Sequence, residues 1–333
     1  MTSDLVNGAA LLGALGLASL GATRVGGPAA LQEPPSLVEA RPSGEAVTAL
    51  IDARGARVPV GDYARVVSVN AVADQLLLHL IEPERVAAVT DHSRSRHPEG
   101  WRFGARPTVS QKEDIERVLS LKPDLVLVSR FADAARVSRL REAGVEVFDL
   151  GEMRGVETTR EDIVTLGTLL GQPERAGRLL ARFDRELAAL EARVPPAEAQ
   201  PEGIYLSVYG DTFFGGTVGT SYADMLRYGG VRDKAARAGF TGWPQYTPEQ
   251  LLVLDPTLIL TQEGMARTIC AHAQLSLMAA CRPDGRVIEL PGAYHSDPGL
   301  GLIEAAAAVQ ARVHDPLEPH PHPHTERDHD RDP

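Results

Sequence analysis

Two glutamates stand at the head of the same written unit. "ERVLSLKPDLVLVS" begins at Glu116 and "EQLLVLDPTLILTQ" at Glu249, an offset of 249 − 116 = 133 residues. Each unit reads as an acid, an apolar helical turn, a proline and a β-rich apolar run. An exposed acid near a helix N-terminus is favoured by the helix dipole and well placed to receive a guanidinium. Arg94, Arg96 and Arg102 share one polar stretch. They suit a carboxylate- or phosphate-bearing ligand, or simply form a solvated basic loop. The histidines His314, His320, His322, His324 and His329 alternate with prolines and acids at the C-terminal end. Such imidazoles take up zinc, nickel or cobalt with low specificity, and His320, His322 and His324 mark a weak tail site. The two cysteines, Cys270 and Cys281, lack C-x-x-C spacing. One disulfide and two buried thiols both remain open readings, the first requiring an oxidising compartment. No nucleophile elbow, H-E-x-x-H or Walker A pattern occurs, and the chain reads as a non-enzyme without a resident cofactor.

These residues need elements to position them. A chain of 333 residues suggests about two domains. The net charge of −11 argues against nucleic acid, because phosphate binding needs clustered Lys and Arg. "LVNGAALLGALGLASLGA" (5–22) is apolar, rich in small residues and shorter than a membrane span. It resembles the core of a signal peptide, with a disordered cytoplasmic leader as the alternative, and no cysteine follows it for lipid attachment. The organisation expected is a leader over 1–26, a linker over 27–48, an N-terminal α/β lobe over 49–170, a bridging helix within 171–196, a C-terminal α/β lobe over 197–313 and a disordered His-rich tail over 314–333.

Within the N-terminal lobe, "ALIDARGARVPV" alternates about Arg54-Gly55 and reads as a hairpin. "RVVSVN", "RVAAVT", "DLVLVS" and "VEVFDL" read as strands separated by helices, and residues 91–111 as a long polar loop. In the second lobe "GIYLSVYG", "TLILTQ" and "GRVIEL" read as strands. "SYADMLRYGG", "TPEQLLVL", "HAQLSLMAA" and "GLIEAAAAVQARV" read as helices, with Thr247 as an N-cap. Between the lobes, "PERAGRLLARFDRELAALEAR" places Leu179, Leu180, Phe183, Leu187 and Leu190 at helical spacing. The fold class expected is two similar doubly wound α/β lobes bridged by a single long helix, with a ligand cleft between them.

"DARGARVPV" followed by "RVVSVN", "DIERVLSLKPDLVLVS" and "GWPQYTPEQLLVLDPTLIL" resemble the periplasmic substrate-binding proteins of ABC importers for cobalamin, ferric siderophores or haem. The resemblance covers roughly residues 49–313. It implies an exported monomer that captures a metal chelate, carrying cobalt or iron within the ligand, and hands it to the importer's membrane subunits. It further implies that Glu116 and Glu249 dock on that importer, one per lobe. The cleft candidates at strand ends are Asn70, Trp101, Arg102, Arg130 and Phe131 in the first lobe. In the second they are Tyr209, Phe213, Phe214, Trp243, Tyr246, Tyr294 and His295. Large flat ligands suit aromatic walls with few polar anchors, and Trp243 in "GWPQ" matches the cobalamin-binding members. Tyr294 or His295 would serve a haem iron in the alternative haem-binding reading. A rival of another class is a chelatase-like two-lobed metalloprotein, which would need cysteine or paired histidine ligands between the lobes.

Overall fold

Continuous apolar strands demand cover on both faces, and the N-terminal lobe supplies it. The computed structural model describes residues 47–95, 97, 99–110, 115–130, 132–292, 294 and 299–314. The lobe opens with an antiparallel hairpin of β1 (Ala49–Ile51) and β2 (Arg57–Pro59), whose turn uses Gly55 at φ 80°. Then come β3 (Val66–Ser68), α1 (Ala71–Leu80), β4 (Val86–Thr90), α2 (Asp91–Ser95), β5 (Thr108–Val109) and α3 (Ile115–Ser120). They are followed by β6 (Leu125–Val128), α4 (Ala134–Glu142) and β7 (Glu146–Asp149). The sheet order is β5-β4-β3-β6-β7, all parallel. β3 and β6 are buried throughout, with helices on both sides.

α5 (Val156–Leu169) leads into the bridging helix α6 (Pro173–Glu191). Pro173 begins α6 where a missing N–H costs nothing. Its buried side chains, Ala176, Leu179, Phe183, Leu187 and Leu190, follow the expected stripe. The exception is Leu180, which is only half-buried at the stripe's edge. Gly167 lets α5 lie close against α6, since a Cβ there would overlap that of Ala176.

The second lobe contains β8 (Glu202–Tyr209), β9 (Thr212–Gly216), α7 (Ser221–Tyr228), β10 (Arg232–Asp233), α8 (Lys234–Arg237), β11 (Gln245–Tyr246) and α9 (Pro248–Leu254). β12 (Leu258–Gln262), α10 (Met265–Ala271), β13 (Arg286–Leu290) and α11 (Leu302–His314) complete it. The order is β11-β9-β8-β12-β13, with β10 beside β8. β8, β12 and β13 are parallel, whereas β9 runs antiparallel to β8 and β11 antiparallel to β9. This lobe is therefore a mixed sheet, with an antiparallel flank beside its parallel strands. α11 packs on α6 and α7, and Gln310 donates to the Leu190 carbonyl (2.9 Å). The lobes also meet where the Val156 N–H donates to Asp224 (2.8 Å).

Three segments differ from the sequence expectation. The described residues within 91–110 form α2, a 3-10 helix over Gly100–Phe103, and β5, pieces too short to show a period. "HAQLSLMAA" forms short 3-10 turns over Leu275–Leu277 and Ala279–Cys281, and the helix lies upstream as α10. His314, assigned to the tail, ends α11 and contacts the Gly230 carbonyl (3.1 Å). The 1–26 leader, residues 27–46 of the linker, Arg96, Phe131, His295 and the tail histidines His320, His322, His324 and His329 lie outside the described residues.

Candidate functional site

Alternation along β8 sends Tyr205, Ser207 and Tyr209 to one face of the second sheet. Tyr205 and Ser207 are covered, but Tyr209 at the strand's end is 67% exposed. Across the hairpin, Phe214 pairs with Ser207 and meets Tyr209 edge to face at 5.9 Å. β9 continues beside the "GWPQ" segment, where Gly215 N–H donates to Pro244 O (2.8 Å) and Thr217 N–H to Gly242 O (3.1 Å). Trp243 is thereby brought beside Gly216 and remains 51% exposed. Its ring stands edge-on to Tyr222 (5.4 Å), and Tyr222 stacks on Tyr205 (3.6 Å). Gly216 is required here, because a Cβ would overlap the Tyr222 ring. Burial raises both phenol pKa values, so the stack stays neutral. The result is an open aromatic face of Tyr209, Phe214 and Trp243 whose tryptophan is braced from behind.

The remaining candidates distribute differently. Asn70 is 1% exposed and caps α1, its Oδ1 accepting from Val72 N (2.9 Å) and Ala73 N (3.2 Å). Its position is a helix cap inside the lobe and not an exposed ligand contact, because the strand-to-helix turn needs that oxygen. Phe213 and Tyr246 also belong to the core, where Phe213 meets His272 and Tyr246 meets Phe240. They point away from the face that carries Phe214, as strand alternation dictates. Arg102 is tied to Glu99 (3.3 Å) and to the Leu78 carbonyl (3.0 Å). Trp101 is 78% exposed on the 3-10 helix. Arg130 pairs with Glu152 (3.2 Å) at the ends of β6 and β7. That loop is held from the hairpin by Arg54, which donates to Ala132 O (2.7 Å) and pairs with buried Asp149 (2.5 Å). Tyr294 is half-buried against the main core.

A cavity of about 190 Å³ opens between the lobes over α6. The first lobe lines it with Gln75, His79, His97 and Glu99, α6 with Arg182, Phe183 and Glu186, and the second lobe with Leu300, Gly301, Ile303 and Glu304. Burial, then Arg182 and Arg102, push the His79 imidazole down to about 4, so it is neutral at neutral pH. Nearby on α1, Asp74 is fully buried, and burial pushes its carboxyl up to about 6 despite hydrogen bonds from Thr90. Sequence reasoning missed these residues and the Tyr205–Tyr222 brace. The period-2 pattern of "IYLSVY" was the signal for the brace. No signal marked the cavity, whose lining is gathered from distant segments.

Cys270 and Cys281 are joined as a disulfide within the second lobe, Cα to Cα 5.4 Å. Among the described residues, no group of three or more His, Cys, Asp or Glu is placed to hold a metal ion. Glu116 on α3 and Glu249 on α9 are both exposed, one in each lobe. Thr247 caps α9 through a full capping box with Gln250. The Glu249 backbone N–H, then Thr247 and Gln274, hold the Glu249 carboxyl below its ordinary pKa.

Two α/β lobes on one bridging helix, with an open aromatic face in one of them, define a two-lobed binding protein. Residues 66–294 match the periplasmic binding protein family, and the chain belongs to it. It is 23% identical over 258 residues to a cobalamin-binding protein of Halobacterium salinarum, covering 75% of this chain and 69% of that one. It is 24% identical over 204 residues to a vitamin B12-binding protein of Yersinia pestis, covering 61% of this chain and 71% of that one. Among solved structures it resembles an apo periplasmic heme-binding protein from Roseiflexus sp. RS-1. There the TM-score is 0.64 and the identity 24%, over 75% of this chain and 98% of that one.

Proposed function

We propose that the protein captures a metal chelate, cobalamin or a ferric siderophore, outside the cytoplasm and delivers it to the membrane subunits of an ABC importer. The observation that carries this reading is the open face of Tyr209, Phe214 and Trp243, with Trp243 fixed by the tyrosine stack. In the proposal this face is the second lobe's wall of the cleft, and Arg130 with Glu152 supplies polar contacts from the first. A corrin or siderophore offers the flat, amphipathic surface such a wall accepts. The 190 Å³ cavity over α6 is too small for a macrocycle and shares no lining residue with this face or with Arg130 and Glu152, so the proposal does not place the chelate there. The chelatase-like alternative loses support because both cysteines are consumed by a bond inside one lobe. The disulfide also fits an oxidising compartment and export through the 5–22 segment. Glu116 and Glu249 serve as docking acids, one per lobe, for guanidinium partners on the importer.

Haem is the second reading, favoured by Tyr294, which stands in the segment following β13. Tryptophan fluorescence titration with cobalamin, haemin and ferric siderophores tests both. Cobalamin or a siderophore should bind below about 10 μM, roughly −7 kcal/mol. Binding of haemin alone transfers the function to the second reading, and binding of none of them refutes both.

A further inference from the structure

α9 divides its residues sharply. Leu251 and Leu254 are buried in the core of the second lobe. The outer face presents Glu249 and, one helical turn on, Val253. At 86% exposure, Val253 is the most exposed large apolar side chain among the described residues. Beside α9 runs the 3-10 turn Leu275–Leu277. Leu275 is its fully buried anchor, while Leu277 is 62% exposed. Gln274, just before that turn, donates to Glu249 Oε1 (3.2 Å), so the turn lies alongside the acid.

The turn belongs to the segment that the Cys270–Cys281 disulfide closes. Within it Ser276 N–H donates to His272 O (2.9 Å), and from just beyond it the Arg282 guanidinium reaches the Leu277 carbonyl (2.9 Å). In the first lobe the residue four beyond Glu116 is Ser120, exposed and polar. The two acids therefore have different surroundings, although the units that carry them match.

We infer that Glu249 is the charged part of a two-part docking surface whose apolar part is Val253 and Leu277, and that the Cys270–Cys281 bond holds the two parts in register. The inference rests on the docking reading above and names the partner's chemistry. The occupant is a segment of the importer's membrane subunit that sets a guanidinium or ammonium group beside apolar side chains. A carboxylate held ionised attracts the cation, and the two apolar side chains reward a partner that covers them. The acid's attraction is screened by salt and the apolar burial is not. Contact through the second lobe is therefore the less salt-sensitive of the two.

The test is association of the full chain with the cognate importer's transmembrane subunits in nanodiscs, at low and high salt. The variants are Glu249→Gln and the pair Val253→Ser with Leu277→Ser. All three side chains are exposed, so an unchanged Tm is expected to accompany each. Glu249→Gln should weaken association chiefly at low salt. The serine pair should weaken it about tenfold at both salt concentrations. Reducing the wild type with dithiothreitol should weaken it severalfold, with less effect on the serine pair. If Glu249→Gln weakens association and the serine pair does not, the two-part surface is wrong and the docking reading stands. If neither changes it, the docking reading itself is refuted. If the serine pair weakens it but reduction does not, the role of the disulfide is refuted.

Discussion

Asp74→Asn should make the fold more stable relative to wild type as pH rises. The Asp74 carboxyl is fully buried, and burial lifts its pKa from 3.8 to about 6. Between those values the folded chain binds more protons than the unfolded one, so stability falls as pH rises through the window. Below about pH 4 the carboxyl is neutral in both states and the effect vanishes. Above about pH 6 it is complete, at roughly 3 kcal/mol. Asparagine keeps an oxygen that accepts from Thr90 N–H and hydroxyl, which lie at 3.0 and 2.6 Å from Asp74 Oδ2. The amide also adds a pH-independent offset, so the diagnostic is the change with pH and not the level. The assay is urea unfolding of both proteins between pH 4 and 8, plotted as the difference in unfolding free energy. That difference should climb by about 2–3 kcal/mol between pH 4 and 6 and then level off. A flat difference, or one that falls, would show that the buried carboxyl is not held neutral and would refute the reasoning.

His79→Gln should act in the opposite sense. Its folded pKa is lowered from 6.5 to about 4, so wild-type stability is lost as pH falls through that window. The variant should lack this loss in urea unfolding, by roughly 1–2 kcal/mol after solvent screening. Trp243→Ala should weaken chelate binding about tenfold or more with little change in Tm, measured by calorimetry because a fluorophore is removed. An unchanged affinity would remove Trp243 from the ligand wall. Gly167→Val should lower unfolding free energy by about 2 kcal/mol or more, since its side chain must displace Ala176 between α5 and α6. Wild-type stability in thermal unfolding would contradict that packing.

The helices and strands that were legible are those whose periods are long. α6 shows its stripe over 19 residues, and β6 announces itself as "LVLV". Thr247 announced the start of α9 through local chemistry alone, and the structure adds a full capping box with Gln250. β9 was not legible because "TFFGG" is short and ends in glycines that exist to admit Tyr246 and Tyr222. The candidate site was half legible for the same reason. Aromatic identity marks Tyr209, Phe213, Phe214 and Tyr246 equally, and only the pairing register decides which face each takes. A one-residue alternation thus separates Phe214 on the open face from Phe213 in the core. Asn70 was misread because a polar residue at a strand end has two uses, and here the helix claims it.

The bridging helix has a mechanical consequence. Nineteen helical residues make a rod about 28 Å long, closed by its own hydrogen bonds and locked to both lobes by its buried stripe. A rod is stiff along its axis, so it acts as a ruler between the lobes. Under the docking proposal, a stiff bridge would keep the span from Glu116 to Glu249 similar in laden and empty protein. A permease gripping both acids would feel nearly the same spacing from a laden protein as from an empty one. Under that same docking proposal, empty protein would compete with laden protein for the permease.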